Sequence, residues 1–156
     1  MVSSKNLCQF LVKAKKTTYA SGDTSQEIKE KDGSTSLIYK QGDWKYHDNY
    51  FGGEPFGGRE VVFYKQKAVY MMVYYGWVVK KVSNPKKIYT FLQKALSKIP
   101  EDKPYRGPKE LKEGKLRYKN EFQGKVTNFS GKEIIYQNGK KVYQAKYAGG
   151  LVDMKR

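Results

Sequence analysis

Two stretches of the chain carry apolar residues at the three- and four-residue spacing of an amphipathic helix. The second stretch predicts a helix over about residues 85–98, where Asn84 can cap the N-terminus and Pro85 fits the first helical position. The first stretch predicts a helix over about residues 4–16. Its apolar stripe consists of Leu7, Phe10, Leu11 and Ala14.

Between and after these helices, polar and apolar residues alternate with the period of two that is typical of β-strands. In the predicted strand at residues 44–51, every second side chain shares one face. Residues 68–75 are apolar on both faces, which predicts a central strand covered on both sides. The other half of the chain, a second subunit or a ligand can supply the cover, and we expect it to come from within the chain. Residues 21–35 are polar and rich in turn residues, which predicts a mobile loop with a brief extended piece near Ile28.

The pattern of the first half of the chain occurs again in the second half. G-D-W-K-Y-H-D-N-Y-F-G at residues 42–52 aligns with G-K-L-R-Y-K-N-E-F-Q-G at residues 114–124, and the strands that follow align as well. We infer one domain over residues 1–156, built from two repeats at about 4–83 and 84–152. Each repeat is a helix followed by antiparallel strands. This predicts an α+β fold with pseudo-twofold symmetry, in which two helices pack on an antiparallel sheet.

The most informative turn is Asn138-Gly139, which lies between two alternating runs and is typical of a two-residue type I′ hairpin.

Carboxylates, aromatic rings and an arginine surround the glycine-rich bend G-G-E-P-F-G-G at residues 52–58. Such a set can hold a cationic or sugar-like ligand, or carry out acid–base chemistry. The second repeat has Asn120 where the first has Asp48, so a catalytic pair of Asp48 and Glu60 would exist in one repeat only. We therefore expect binding rather than catalysis and assign no catalytic residue. The candidate ligand-binding residues are Trp44, Tyr46, Asp48, Tyr50, Arg59 and Glu60.

The charge of the chain adds a second candidate function. The net charge is +16, which favours a polyanionic partner, although a lysine-rich solvated surface would have the same composition. Basic and aromatic residues interleave on the strands of the second repeat. Such strands can contact phosphates and stack single-stranded bases, although ordinary half-buried strands alternate in the same way. Any binding is expected to be weak and mainly through phosphates. The candidate nucleic-acid residues are Arg117, Tyr118, Lys119, Lys140, Lys141 and Lys146.

The numbers of cysteine and histidine residues, and the sequence motifs, narrow the range of possible functions further. Cys8 is the single cysteine and His47 the single histidine, so neither a disulfide within the chain nor a transition-metal site is expected. No phosphate-binding or dinucleotide-binding motif occurs, and we expect no cofactor. No apolar run reaches membrane-spanning length and no signal-peptide pattern is found. We expect a cytoplasmic monomer or homodimer with no membrane partner.

Three motifs resemble those of a known prokaryotic family. They are Y-x-x-G-D-W-x-Y-x-D-x-Y-x-G-G-x-x-F-x-G-x-E at residues 39–60, P-Y-R-G-P at 104–108 and K-V-Y-x-x-x-Y-x-G-G at 141–150. The family they resemble is a domain of unknown function that occurs alone or fused behind a helix-turn-helix DNA-binding domain. The fused form implies a regulatory sensor or interaction module, but this chain has no helix-turn-helix segment. The resemblance supplies no catalytic residues.

The doubled helix-plus-sheet unit is also similar in architecture to Whirly and Pur-type single-strand binders, an analogy of fold only. The first hypothesis is therefore a binding or regulatory module for a small ligand or a partner. A single-stranded nucleic-acid-binding protein is the alternative, and an enzyme that uses Asp48 and Glu60 is a third.

Overall fold

The fold is known from a computed structural model, which describes residues 2–153. The described residues form two α-helices, α1 (Ser4–Thr17) and α2 (Pro85–Leu96). They also form nine strands in one sheet. The strands are β1 (Ile28–Lys29), β2 (Thr35–Gln41), β3 (Trp44–Phe51), β4 (Phe56–Tyr64), β5 (Lys67–Val78), β6 (Glu110–Glu113), β7 (Leu116–Lys125), β8 (Asn128–Gln137) and β9 (Lys140–Leu151).

The sheet is antiparallel throughout, and its order is β1-β2-β3-β4-β5-β9-β8-β7-β6. Each half of the chain makes a meander of neighbouring strands. The last strand of each meander, β5 in the first half and β9 in the second, pairs with the other at the centre of the sheet. In that pair Tyr74 lies opposite Tyr147. The central pairing joins the two halves into a single continuous sheet.

Both helices pack on the same face of the sheet, which we call the helix face. Ser3 caps α1 by accepting a hydrogen bond from the amide of Asn6, and Asn84 caps α2 in the same way through the amide of Lys87. The apolar stripe of α1 packs on a core that includes Tyr70 and Met72. The stripe of α2 packs on a separate core around Tyr143. Packing on these two cores fixes the positions of the helix ends, and the candidate site lies between those ends.

The predicted α+β fold, with two helices and an antiparallel sheet, is confirmed. The helix at 4–16 extends one residue further, to Thr17, and the helix at 85–98 ends earlier, at Leu96. The predicted hairpin at Asn138-Gly139 is also confirmed, since both residues have the positive φ of a type I′ turn, 50° and 75°. The segment 21–35 contains a short 3₁₀ turn and the edge strand β1, which is the extended piece expected near Ile28.

The prediction that the chain covers both faces of β5 is wrong. Val73 is 48% exposed and Tyr75 is 53% exposed, and both point to the face opposite the helices, which we call the open face. Only the alternate residues of β5, from Tyr70 to Val78, face the helices. Both amphipathic helices bury their single apolar stripe on that one side, so none is left for the other side. Within residues 2–153, no helix is long and apolar enough to cross a membrane.

Candidate functional site

A cavity of about 160 Å³ lies on the helix face, between the sheet and the ends of the two helices. Strands β3, β4 and β5 form its floor, and the end of α1 and the loop from α2 to β6 cover it. Tyr19, Tyr50 and Tyr89 are half-buried and belong to its rim. The ionisable side chains that line the cavity, apart from the tyrosines, are Lys15, Asp48, Glu60 and Arg106.

Asp48 and Glu60 form a cross-strand pair in the cavity floor. Asp48 lies opposite Glu60 in the β3–β4 register, and each is only 4% exposed. Their neighbours Tyr46 and Val62 alternate onto the same face and are buried in the α1 core. The strand period therefore places two carboxylates side by side beneath the helices, which is an unfavourable environment for two negative charges.

Asp48 receives one strong hydrogen bond. The hydroxyl of Tyr74 donates to Asp48 Oδ1 at 2.5 Å. Burial and, after it, the charge of Glu60 raise the pKa of Asp48 to about 7, against the smaller opposing effects of Tyr74 and the nearby cations. Burial and the charge of Asp48 likewise raise the pKa of Tyr74. Near neutral pH, Asp48 can therefore gain or lose a proton inside the cavity.

Glu60 is held by Lys15, which reaches down from the last turn of α1. Lys15 Nζ lies 2.8 Å from Glu60 Oε2 and donates a hydrogen bond to the carbonyl oxygen of Tyr105 at 2.6 Å. Burial lowers the pKa of Lys15, and the charge of Glu60 opposes that effect. Within residues 2–153, Glu60 Oε2 has no hydrogen-bond partner besides this ammonium. Among the same residues, the buried hydroxyl of Tyr70 has no hydrogen-bond partner.

A second buried carboxylate, Glu133, has a different environment. Arg106 donates to Glu133 Oε1 through Nε at 3.1 Å and through Nη2 at 2.5 Å. The hydroxyls of Tyr118 and Tyr143 donate to its two oxygens at 2.6 Å and 2.8 Å. Glu133 is fully buried, and both of its oxygens accept hydrogen bonds. This cluster is a completed structural network.

Asn120 completes the second half in the same manner. Its Oδ1 accepts a hydrogen bond from the hydroxyl of Tyr147 at 2.6 Å, and its Nδ2 donates to the carbonyl oxygen of Gly107 at 3.0 Å. Asp48 and Tyr74 make the corresponding contact in the first half, but with a carboxylate in place of the amide. The first half thus carries one more buried acid than the second.

The structure brings four of the six candidate ligand residues to the cavity, namely Tyr46, Asp48, Tyr50 and Glu60. Trp44 and Arg59 do not line the cavity. Trp44 stacks on Phe10 at the far end of β3. Arg59 follows Gly58 and precedes Glu60 in β4, so strand alternation turns it to the open face.

The candidate nucleic-acid residues do not form one surface. Tyr118 is completely buried, so its ring cannot stack on a base, and this assignment is corrected. Arg117, Lys119 and Lys146 alternate onto the open face. Lys140 and Lys141 are exposed just after the β8–β9 turn, at one end of the sheet.

The sequence analysis did not identify Lys15 and Arg106 as site residues. Lys15 follows Leu7 and Leu11 at intervals of four, a spacing that continues the buried stripe of α1 and could have revealed it. Arg106 stands at the centre of P-Y-R-G-P, in a loop whose residues 104–107 are buried. Residues 2–153 contain no group of three or more His, Cys, Asp or Glu that could hold a metal ion.

Comparison with known proteins identified one relationship. Neither the curated proteins nor the solved structures gave a match to the chain. One family model, described as "Domain of unknown function (DUF5680)", matches residues 48–152. The match begins at Asp48 and includes Glu60, Arg106 and Glu133, and it covers more than half of the chain. The chain therefore belongs to the DUF5680 family of domains of unknown function.

Proposed function

We propose that the protein is a non-enzymatic binding module that takes a small ligand in the cavity around Asp48 and Glu60. One observation carries the proposal: two neighbouring carboxylates, Asp48 and Glu60, are buried in the floor of a cavity, and of the two only Glu60 has a cation of the described residues within ion-pair distance. Burying a carboxylate without a cation beside it is unfavourable. A bound ligand that donates a hydrogen bond to Asp48 would offset that cost.

The contrast with Glu133 supports binding over a purely structural role. The same fold satisfies Glu133 with Arg106 and two tyrosine hydroxyls, so it can complete such a network where one is needed. A cavity of about 160 Å³ suits a molecule of about the size of benzene. It leaves little room for a substrate and a second reactant together, and for this reason we favour binding over catalysis by Asp48 and Glu60.

We further propose that the two halves, about 4–83 and 84–152, are copies of one unit within a single domain. The backbone supports this at equivalent turns: φ is 57° at Gly42 and 56° at Gly114. The β5–β9 register supports it too, since Tyr74 lies opposite Tyr147, its counterpart in the alignment of the repeats. Superposition of residues 42–76 on 114–149 tests the proposal, and a poor fit of their backbones would contradict it.

A cavity-filling substitution tests the ligand site. Ala20 lies in the turn after α1 and lines the cavity, so Ala20→Phe is expected to occupy it without removing a charged group. In a thermal-shift panel of small cations, sugars and neutral aromatics, at least one compound should raise the Tm of the wild type but not that of Ala20→Phe. Ala148→Phe, on the exposed part of β9, is the matched control and should respond as the wild type does.

Equal responses of Ala20→Phe and the wild type to every compound would place binding outside the cavity. No response from the wild type to any class of compound would argue against the ligand-binding function.

The open face supports a second candidate function, binding of single-stranded nucleic acid. Tyr75 and Val73 are exposed at its centre. Lys146 lies opposite Tyr75, and Arg59 lies opposite Val73. An exposed ring beside cations can stack a base while the cations contact phosphates. A second copy of the chain fits this face less well, because face-to-face pairing would oppose like charges.

Two substitutions on the open face test this second candidate. Tyr75→Ala should weaken binding of a single-stranded oligothymidylate by about 1–3 kcal/mol through lost stacking. Lys146→Glu should also weaken binding and make the log–log salt slope shallower by about 0.7, the value for one phosphate contact. Lys86→Glu, exposed on α2, is the control and should change little. Fluorescence anisotropy at two salt concentrations measures all four proteins.

Equal weakening by Lys86→Glu would show diffuse attraction to the net charge. No oligonucleotide binding together with concentration-dependent self-association would assign the open face to a second copy instead.

A further inference from the structure

Charge pairing among the buried groups identifies an acid without a cation. Within residues 2–153 the buried side chains of Asp, Glu, Lys and Arg are Lys15, Asp48, Glu60, Arg106 and Glu133. Arg106 pairs with Glu133, and Lys15 pairs with Glu60. Asp48 is left with one neutral donor, the hydroxyl of Tyr74. The buried set therefore holds three carboxylates and two cations, and Asp48 is the one without a counter-ion.

We propose that the ligand of this cavity is a small organic cation of the protonated-amine type, with Asp48 as its counter-ion and Glu60 Oε2 as a second acceptor. This inference rests on the proposed ligand-binding function of the cavity. A buried carboxylate without a cation is unfavourable, and an ammonium group between Asp48 and Glu60 would neutralise it through charge-assisted hydrogen bonds. The ammonium would also donate to Glu60 Oε2, whose partner in the ligand-free protein is Lys15.

Aromatic rings around the two carboxylates fit the same ligand class. Tyr46, Tyr50 and Tyr74 line the cavity from the sheet, while Tyr19 and Tyr89 line it from the helix side. The faces of such rings attract cations, more strongly where water is excluded. Lys15 and Arg106 do not reverse this preference, because each is already paired with its own glutamate. The site thus combines a negative charge with an aromatic wall.

The second half of the chain has a neutral residue at the position that aligns with Asp48. Asn120 takes the place of Asp48 in the aligned repeat and makes two hydrogen bonds, one from Tyr147 and one to Gly107. A neutral amide is therefore sufficient for the structural contact. The acid at position 48 adds an unbalanced negative charge at the cavity, which the structural contact does not need.

The proton competes with the cation for Asp48. Burial and the neighbouring Glu60 raise the pKa of Asp48 to about 7. Binding of the cation should therefore strengthen as pH rises through this value and weaken below it, by up to about tenfold per pH unit. The titratable and charged groups that face Asp48 are Lys15 from α1, Tyr19 from the turn after it, Tyr46 and Tyr50 from β3, Glu60 from β4, Tyr74 from β5 and Arg106 from the α2–β6 loop.

Three monosubstituted benzenes of similar size and different charge test the inference by isothermal titration calorimetry at pH 8. They are benzylamine, which is cationic at this pH, neutral benzyl alcohol and anionic benzoate. The wild type should bind benzylamine at least about tenfold more tightly than benzyl alcohol, as a charge-assisted hydrogen bond requires. Asp48→Asn should lose that preference. Asp43→Asn, exposed at the β2–β3 turn, is the matched control and should keep it.

The outcomes distinguish the cationic assignment of the ligand from the ligand-binding function of the cavity. Tighter binding of benzyl alcohol or benzoate than of benzylamine would keep the cavity as a ligand site and overturn the cationic assignment, as would a preference that survives in Asp48→Asn. No binding of any probe, with Ala20→Phe indistinguishable from the wild type, would overturn both the cationic assignment and the ligand-binding function. Thermal unfolding of Asp48→Asn, run in parallel, verifies that the variant is folded.

Discussion

Glu133→Ala is expected to destabilise the fold by about 3–5 kcal/mol, the cost of leaving a buried charge without its partner. Arg106 would remain buried beside the empty position, and a guanidinium cannot release its proton in a protein. The hydroxyls of Tyr118 and Tyr143 would lose their acceptor at the same time. Urea unfolding at pH 7, followed by tryptophan fluorescence, measures the change in the free energy of unfolding.

Three further variants make this prediction specific. Glu60→Ala should cost less than Glu133→Ala, because the lysine it leaves behind, Lys15, can lose its proton more easily than an arginine can. Glu121→Ala, at an exposed position of β7, should change stability by no more than about 0.5 kcal/mol. If Glu133→Ala does not fold, Glu133→Gln, which keeps the shape and one acceptor oxygen, should fold with an intermediate loss. Equal losses at positions 133 and 60 would contradict the distinction between the two halves.

Asp48→Asn is expected to stabilise the ligand-free protein above pH 7. The folded-state pKa of Asp48, about 7, is higher than the value of about 4 for an unfolded chain. A carboxyl with a raised folded-state pKa contributes stability that is present below pH 4 and is lost as pH rises to 7. Three units correspond to about 4 kcal/mol, which is an upper value for the gain in Asp48→Asn at pH 8. Near pH 4 both proteins carry a neutral group, and their stabilities should be similar.

Chemical denaturation of the wild type and Asp48→Asn between pH 4 and pH 8 checks this prediction. The difference between the two curves isolates Asp48 from the other titrating groups. Asp43→Asn controls for the loss of one negative charge and should follow the wild type across the range. Parallel curves for the wild type and Asp48→Asn would show that Asp48 is not destabilised by its burial. A gain in stability together with lost ligand binding would be the trade-off typical of a functional site.

Local patterns in the sequence were sufficient to predict most of the secondary structure. Helix spacing and the cap residues around Asn84 gave both helices, and the period of two gave most of the strands. Strand β6 (Glu110–Glu113) was missed, since four residues with one half-buried side chain carry almost no alternation. The pairing of Asp48 with Glu60 could also be predicted from the sequence, because the two residues flank a bend that turns one strand back on the next.

Arg59 shows a limit of sequence proximity. It stands next to Glu60 and near the bend, yet adjacent residues of a strand point to opposite faces. Alternation alone could have excluded it. Which face of β5 would be covered could not be read from the chain, because both of its faces are apolar and the choice depends on where the helices pack.

Local sequence patterns could not predict which carboxylate each of the two cations of the site would pair with. Lys15 meets Glu60 across 45 residues (60 − 15), and Arg106 meets Glu133 across 27. These contacts arise from the docking of α1 and of the α2–β6 loop on the sheet, which depends on tertiary packing. The pairing of charges, and with it the unbalanced Asp48, therefore became visible only in the folded structure.

A carboxyl ¹³C NMR titration of Asp48 tests the central claim most directly, namely that the first half of the chain keeps a buried acid without a counter-ion for use by a ligand. The resonance can be assigned by its absence in Asp48→Asn. The midpoint is expected at about pH 7 in the ligand-free protein, and it should fall when benzylamine saturates the cavity. A midpoint near pH 4 in the ligand-free protein, the value of an ordinary aspartate, would contradict the account.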